Sequence, residues 1–344
     1  MDNLAHTLVG AALGRAIADR HVPRAALIGA VAANVPDLAE VFTGYLGWSR
    51  ADFLLNHRGI THSLVGAAVE IIVLVLIVGF IVRAAPWRRV ALLVAVTVLS
   101  HLFMDWQGSY GWRPFLPWNA TWYYLDWVAI ADPFFWLLPL VALAWGANRH
   151  WKPLLPILCG GGLIALVIAR YIASGGTVSS WVLPLCAVIV LLAAVGWIQF
   201  WFGPVRRQQA ATSAVLLLAV YALAQGIVAQ ERKSVIRQEA LQRFGPAARW
   251  AILTNIGEPF NWEPMYASGD TVVGDGWQLP RNLRVQPVMQ ALGTPDGRAI
   301  AQFARFLTAR IDTSGRAVYL WDSRFSQGGR GSWAAVRIRI ESAR

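Results

Sequence analysis

Five apolar runs of bilayer length dominate this chain: Ser63–Val82, Asp126–Gly146, Pro153–Ala173, Trp181–Phe202 and Ala210–Ala229. A helix that crosses a membrane needs roughly 20 predominantly apolar residues. Val90–Met104 is shorter, but Trp87 and Trp106 flank it in the manner of interfacial anchors. Two earlier segments, Leu4–Ala18 and Ala25–Leu38, are rich in small residues, with Gly10, Ala11, Ala12 and Gly14 in one and Gly29, Ala30, Ala32 and Ala33 in the other. Small residues let helices approach closely, so these two segments are either short spans or a helical hairpin packed within the bundle. Only 14% of the 344 residues are charged, where a soluble domain carries about 25%. The expected fold is mainly α: a polytopic membrane helical bundle of about six to eight hydrophobic segments over residues 1–230.

Residues 231–344 change character. Apolar runs shorten, and turn signals fall at Ser268-Gly269-Asp270, Gly274-Asp275-Gly276, Pro295-Asp296-Gly297 and Gly328-Gly329-Arg330-Gly331. Arg316–Trp321 and Trp333–Ile340 read as strands, and Val336-Arg337-Ile338-Arg339-Ile340 alternates as a half-buried strand does. Residues 231–249 read as an amphipathic helix leaving the last span. A small, β-rich, water-exposed C-terminal domain is expected.

The formal net charge is +11, and its distribution suits membrane topology and anionic headgroups rather than nucleic acid. There is no basic helix face with interleaved aromatics, so nucleic acid is not an expected partner and membrane lipid is. With all eight segments counted as crossings, Arg20, Arg24, Arg83, Arg88, Arg89, Arg149, Lys152, Arg206 and Arg207 share one side, which the positive-inside rule makes cytoplasmic. The opposite side then holds His6, Asp37, the 57–62 loop, His101, Asp105 and everything after Gln230. Asp2 is acidic and no small-residue cleavage site follows a short apolar core, so insertion is expected to rely on uncleaved spans. Cys159 and Cys186 lie inside apolar runs and read as small hydrophobes.

The polar groups at that outer end carry the chemistry. His101 and Asp105 are four apart, so both project from one helix face and can bind one ion. His57-Arg58-Gly59-Ile60-Thr61-His62-Ser63 places two imidazoles and a guanidinium beside an apolar span, with Gly59 breaking the structure and Thr61 or Ser63 capping the next helix. Pro36 ends the preceding helix and lets Asp37 project at its exit. His6 is a polar residue on a small, apolar helix and is expected to point into the bundle. The competing readings are a capped helix end for His101, an ordinary cap for Asp37 and an interfacial loop for His57–His62. Ionisable groups at the ends of spans favour function. Asp132 falls inside an apolar run, where an unpaired charge is costly, and is expected to act as ligand, base or partner of a histidine. Asp126 reads as an interface residue. Arg113 and Arg58 can hold an anionic substrate group, because guanidinium binds phosphate oxygens bidentately. His21 and His150 sit among arginines and read as loop residues. No HExxH, GxSxG or Walker A pattern is present.

Four stretches, Met1–Gly14, Asn34–Asp37 (NVPD), Asn56–Ser63 (NHRGITHS) and Ser100–Asp105 (SHLFMD), resemble the YdjM/YbcI-like family over about residues 1–140. The resemblance implies an inner-membrane metal-dependent hydrolase, distantly similar to zinc-dependent phospholipase C and P1-type nucleases. The residues that match are His6, Asp37, His57, Arg58, His62, His101 and Asp105, with Asp132-Pro133 a weaker match. The expected location is a bacterial inner membrane, with a multi-pass chain and an extracytoplasmic C-terminal domain.

The expected function is hydrolysis of a phosphoester, lipid-derived by location, through metal-activated water. His62, His101, Asp37 and Asp105 would hold one divalent ion, with zinc expected. His6 and His57, with Asp105 as a bridge, would complete a second position. Arg58 would stabilise phosphoryl charge and Asp132 would orient a histidine or the water. The rival readings are a non-catalytic membrane protein with a structural metal site, and a transporter. A transporter would spread polar groups through the membrane depth instead of gathering them at one end.

Overall fold

The computed structural model describes residues 1–42, 45–145, 151–199, 204–313, 315–329 and 331–340. Gly146, Arg149, His150, Phe202 and Arg330, which figure in the sequence reading, lie outside them. In chain order the helices of the first 244 residues are α1 (Asn3–Ala18), α2 (Ala25–Ala32), α3 (Leu38–Val41), α4 (Arg50–Asn56), α5 (Leu64–Ile81), α6 (Trp87–Gln107), α7 (Pro133–Trp145), α8 (Trp151–Ala173), α9 (Val182–Gln199) and α10 (Pro204–Phe244). There follow β1 (Arg249–Thr254), β2 (Trp262–Ser268), β3 (Thr271–Gly274), β4 (Trp277–Pro280), α11 (Gln286–Gly293), α12 (Pro295–Phe303), β5 (Leu307–Ile311), β6 (Ala317–Asp322) and β7 (Ala335–Arg339). The chain divides into two compact units: Met1–Pro36, Thr61–Val228 and Thr254–Asn261 form the first, and Asp37–Ile60, Ala229–Leu253 and Trp262–Arg344 the second.

In the first unit α1 packs on α2, α6 and α7; α5 packs on α6; and α7 packs on α8 and α9. Local chemistry sets the helix starts. Asp2 caps α1 by accepting from the Ala5 N–H at 3.0 Å, and Ser63 caps α5 by accepting from the Gly66 N–H at 3.0 Å. The α1–α2 contact depends on glycine: a Cβ on Gly14 would collide with the Ala25 carbonyl, and one on Gly10 would stand 2.5 Å from the Cβ of Ala33. Two helix backbones pressed this closely need small residues on both sides.

Among the described residues, three helices are long and apolar enough to cross a bilayer: Leu64–Ile81, Trp87–Gln107 and Arg206–Phe244. Pro133–Trp145 is a shorter apolar helix, and Gly161–Ala173 and Val182–Leu192 are apolar stretches within α8 and α9. This corrects the expected six to eight spanning segments, and two local causes account for much of the difference. The eight residues of α2 rise only about 12 Å, against a hydrocarbon core of about 30 Å. Its apolar stretch is cut by a turn at Ala33–Asn34 and by Pro36, so α1 and α2 form a packed hairpin. The segment expected from Asp126 becomes helical only at Pro133, because Asp126 sits in the left-handed region at φ +50° and residues 126–132 are irregular. α5 carries the clearest lipid face: Ile72, Leu76, Phe80 and Ile81 are all exposed, and only Ala67 on that helix is buried. An apolar surface of that extent has no reason to exist in water.

The second unit holds two antiparallel sheets, ordered β1-β2-β3-β4 and β5-β6-β7. The pairing Gly274↔Trp277 leaves Asp275-Gly276 as a two-residue hairpin loop, and Gly276 takes the positive φ (+71°) that such turns require. β7 buries Val336 and Ile338 and exposes Arg337 and Arg339, as its alternation predicts. The Pro295-Asp296-Gly297 turn signal instead opens α12. Thr294 accepts from the Gly297 N–H at 3.0 Å and Pro295 takes the first helical position. α12 packs on α4, β6 and β7.

Candidate metal centre

Three short pieces of the first unit bring their polar residues together. The last turns of α6 supply His101 and Asp105 from one face, the first turn of α1 supplies His6, and the 3-10 turn Ile60–His62 supplies His62. All four residues are at most 1% exposed. The indole N–H of Trp112 fixes the His62 turn by donating to its carbonyl at 2.5 Å.

The two outer nitrogens are occupied in ways that turn the inner ones toward Asp105. His101 Nδ1 lies 2.7 Å from the Ala33 carbonyl. A carbonyl only accepts, so Nδ1 carries the proton and, in the neutral ring, Nε2 carries the lone pair. His62 Nδ1 lies 3.1 Å from the Thr61 hydroxyl. His62 Nε2 and His101 Nε2 then face each other at 3.0 Å, and stand 3.4 and 3.6 Å from Asp105 Oδ2. Such a gap accommodates one shared proton or, with both lone pairs inward, one cation. Ligand atoms around a tetrahedral zinc at about 2.1 Å are about 3.4 Å apart, which is the spacing of this trio. The donor set therefore fits a divalent ion.

Asp37 ends the 3-10 turn Val35–Asp37, inside which the division between the units falls, so it is a junction residue one peptide bond from Pro36. Its side chain is buried; within the first unit, His62, His101 and Asp105 each offer one ligand atom, all within 4.8 Å of one another. This buried cluster can hold a metal ion. His6 flanks it: its Nε2 is 3.1 Å from Asp105 Oδ1 and its ring stacks on His101 with centroids 3.9 Å apart. The Met1 amino nitrogen also contacts Asp105 Oδ1.

The other expected site residues lie elsewhere. His57 caps the C-terminus of α4, stacks on Phe53 and places Nδ1 2.5 Å from Glu40 Oε1. Asp37, Glu40 and His57 form a further group whose ligand atoms lie within 4.8 Å of one another. Glu40 was missed in the sequence, although Asp37-Leu38-Ala39-Glu40 carries the signal: carboxylates three apart share one face of a helical turn. Arg58 follows His57 and is buried. Asp132 does not orient a histidine. It caps α7 through the Phe134 N–H at 2.8 Å and accepts from the Tyr221 hydroxyl at 2.7 Å. Arg113 is buried with its guanidinium 4.5 Å over the Trp122 ring.

Fold and site together define a helical membrane protein with a buried histidine–carboxylate cluster suited to a divalent cation. A family profile matches residues 1–197, and the chain belongs to the YdjM inner membrane protein family. It is 26% identical over 181 residues to the uncharacterized protein YfhP of Bacillus subtilis (strain 168). That match covers 49% of this chain, which spans only 54% of that relative. No solved structure matches the chain.

Proposed function

We propose that this protein is a membrane-embedded, metal-dependent hydrolase of a phosphoester with a lipid-derived substrate. One observation carries the reading. Two imidazole nitrogens and a carboxylate oxygen stand 3.0–3.6 Å apart in a buried cluster, and the outer nitrogens of both rings are tied back. His62, His101 and Asp105 hold the ion, with Asp37 the fourth ligand expected from sequence, and zinc suits this mixed nitrogen and oxygen set. When bound, such an ion lowers the pKa of a coordinated water to roughly 7 and so supplies a nucleophile at neutral pH. Asp105 accepts from His6 and fixes that ring against His101. Arg58, buried next to His57, is assigned to the anionic group of the substrate, where a guanidinium bonds two oxygens at once.

A groove between the helices of the first unit favours a lipidic substrate. It is lined by Val9, Leu13, Phe103, Met104, Phe135 and Leu218 from α1, α6, α7 and α10. Phe103 and Met104 line it from a face of α6 other than the one that carries His101 and Asp105. An acyl chain is the occupant that such a lining between membrane helices favours. In this reading the chain crosses a bacterial inner membrane several times, with its C-terminal domain extracytoplasmic.

The test is elemental analysis of the purified full-length protein together with phosphodiester turnover, for the wild type, His101→Ala and Asp105→Ala. About one equivalent or more of metal and turnover is expected for the wild type, with turnover and one equivalent lost in the variants. Metal held tightly with no ester turned over would mark a structural site, and a wild type free of metal would remove the proposal.

A further inference from the structure

We infer that a second divalent cation binds at Asp37, Glu40 and His57. The inference deepens the metal-centre reading above and rests on it. The second position expected from sequence combined His57 with His6 and Asp105. Instead His6 is committed to Asp105 and His101, while His57 lies against Glu40. Two carboxylates and one imidazole now offer ligand atoms within 4.8 Å of one another.

Each of the three is set by backbone it does not control alone. Asp37 ends a 3-10 turn, Glu40 lies three residues on in the four-residue α3, and His57 closes α4, whose start is fixed by the reciprocal Ser49–Asp52 capping box. The His57 ring is steadied by Phe53 at 5.4 Å between centroids. His57 and Glu40 are about a fifth and a quarter exposed, while Asp37 is buried. A site with three protein ligands and partial access keeps positions open for water or substrate, the arrangement of catalytic rather than structural metal sites. Two oxygen ligands and one nitrogen suit zinc or manganese better than a thiolate-seeking ion.

Elemental analysis and titration of the metal-stripped, full-length protein in detergent with zinc and with manganese separate the possibilities. The expected stoichiometry is two equivalents for the wild type and one for Glu40→Gln, a variant that keeps the side chain's size and one hydrogen-bonding oxygen. His57→Ala should match Glu40→Gln, and the ion each retains should be lost on adding His101→Ala. A wild type that binds one equivalent, unchanged in Glu40→Gln, overturns the second site and leaves the first. A wild type that binds none overturns both. A Glu40→Gln protein that still takes up two equivalents also sinks the inference, because the pair would then be only an imidazole–carboxylate contact.

Discussion

Thr61 touches no metal ligand atom that faces the cluster, yet its hydroxyl stands 3.1 Å from the outer nitrogen of His62. Partners of this kind hold a ring in one tautomer and orientation, and their loss typically costs about 10–100-fold in metal affinity or activity. Thr61→Val keeps the shape of the side chain and removes the hydroxyl. It should weaken metal binding by about 10-fold or more, read by competition with a chromophoric chelator, while the melting temperature of the metal-free protein stays near that of the wild type. An unchanged affinity would show that the Thr61 contact is incidental. Much at this scale was legible in sequence. The four-residue spacing of His101 and Asp105 announces a shared face, and the NHRGITHS cluster marks His62. The Ala33 carbonyl was not legible, because any residue at that position would supply the same oxygen. The Tyr221 partner of Asp132 was not legible for a related reason: it lies 89 residues away.

Among the elements, the α1–α2 hairpin is the most exacting. A Cβ on Gly29 would meet the Gly10 backbone, with the Gly10 carbonyl carbon at 3.1 Å and the Gly14 Cα at 3.2 Å. These are backbone atoms, so the helices must separate to admit it. Gly29→Ala should destabilise the protein by about 1–3 kcal/mol, against little change for Gly79→Ala on α5, where a new Cβ meets nothing within 4 Å. Thermal unfolding in detergent compares the two; equal melting temperatures would refute the tight hairpin. The glycines announced close packing in the sequence, but apolarity over Ala25–Leu38 hid how early α2 stops. Long uninterrupted helices such as α5 and α6 were readable because nothing within them competes. The hairpins were readable because Asp-Gly and Gly-Asp pairs specify two-residue turns. α12 was not, since proline, aspartate and glycine suit a turn and a capped helix start equally well.

On the scale of the whole molecule, the distribution of arginines predicts sidedness. Ala84 lies between α5 and α6 beside Arg83, and Ala247 is exposed between α10 and β1. Ala247→Cys should react with a membrane-impermeant maleimide in intact cells, and Ala84→Cys only after lysis, each scored against the unmodified protein with its own Cys159 and Cys186. Labelling in the reverse pattern would invert the proposed topology and put the C-terminal domain in the cytoplasm.

The bond from His101 to the Ala33 carbonyl ties a ring on α6 to the residue that ends α2. No replacement of the Ala33 side chain can delete that oxygen, but any sliding of α2 along α1 carries it away from the imidazole. The α1–α2 hairpin is thus coupled directly to the imidazole of His101. A small molecule or neighbouring helix that wedged the hairpin apart would loosen the ion without touching a single ligand.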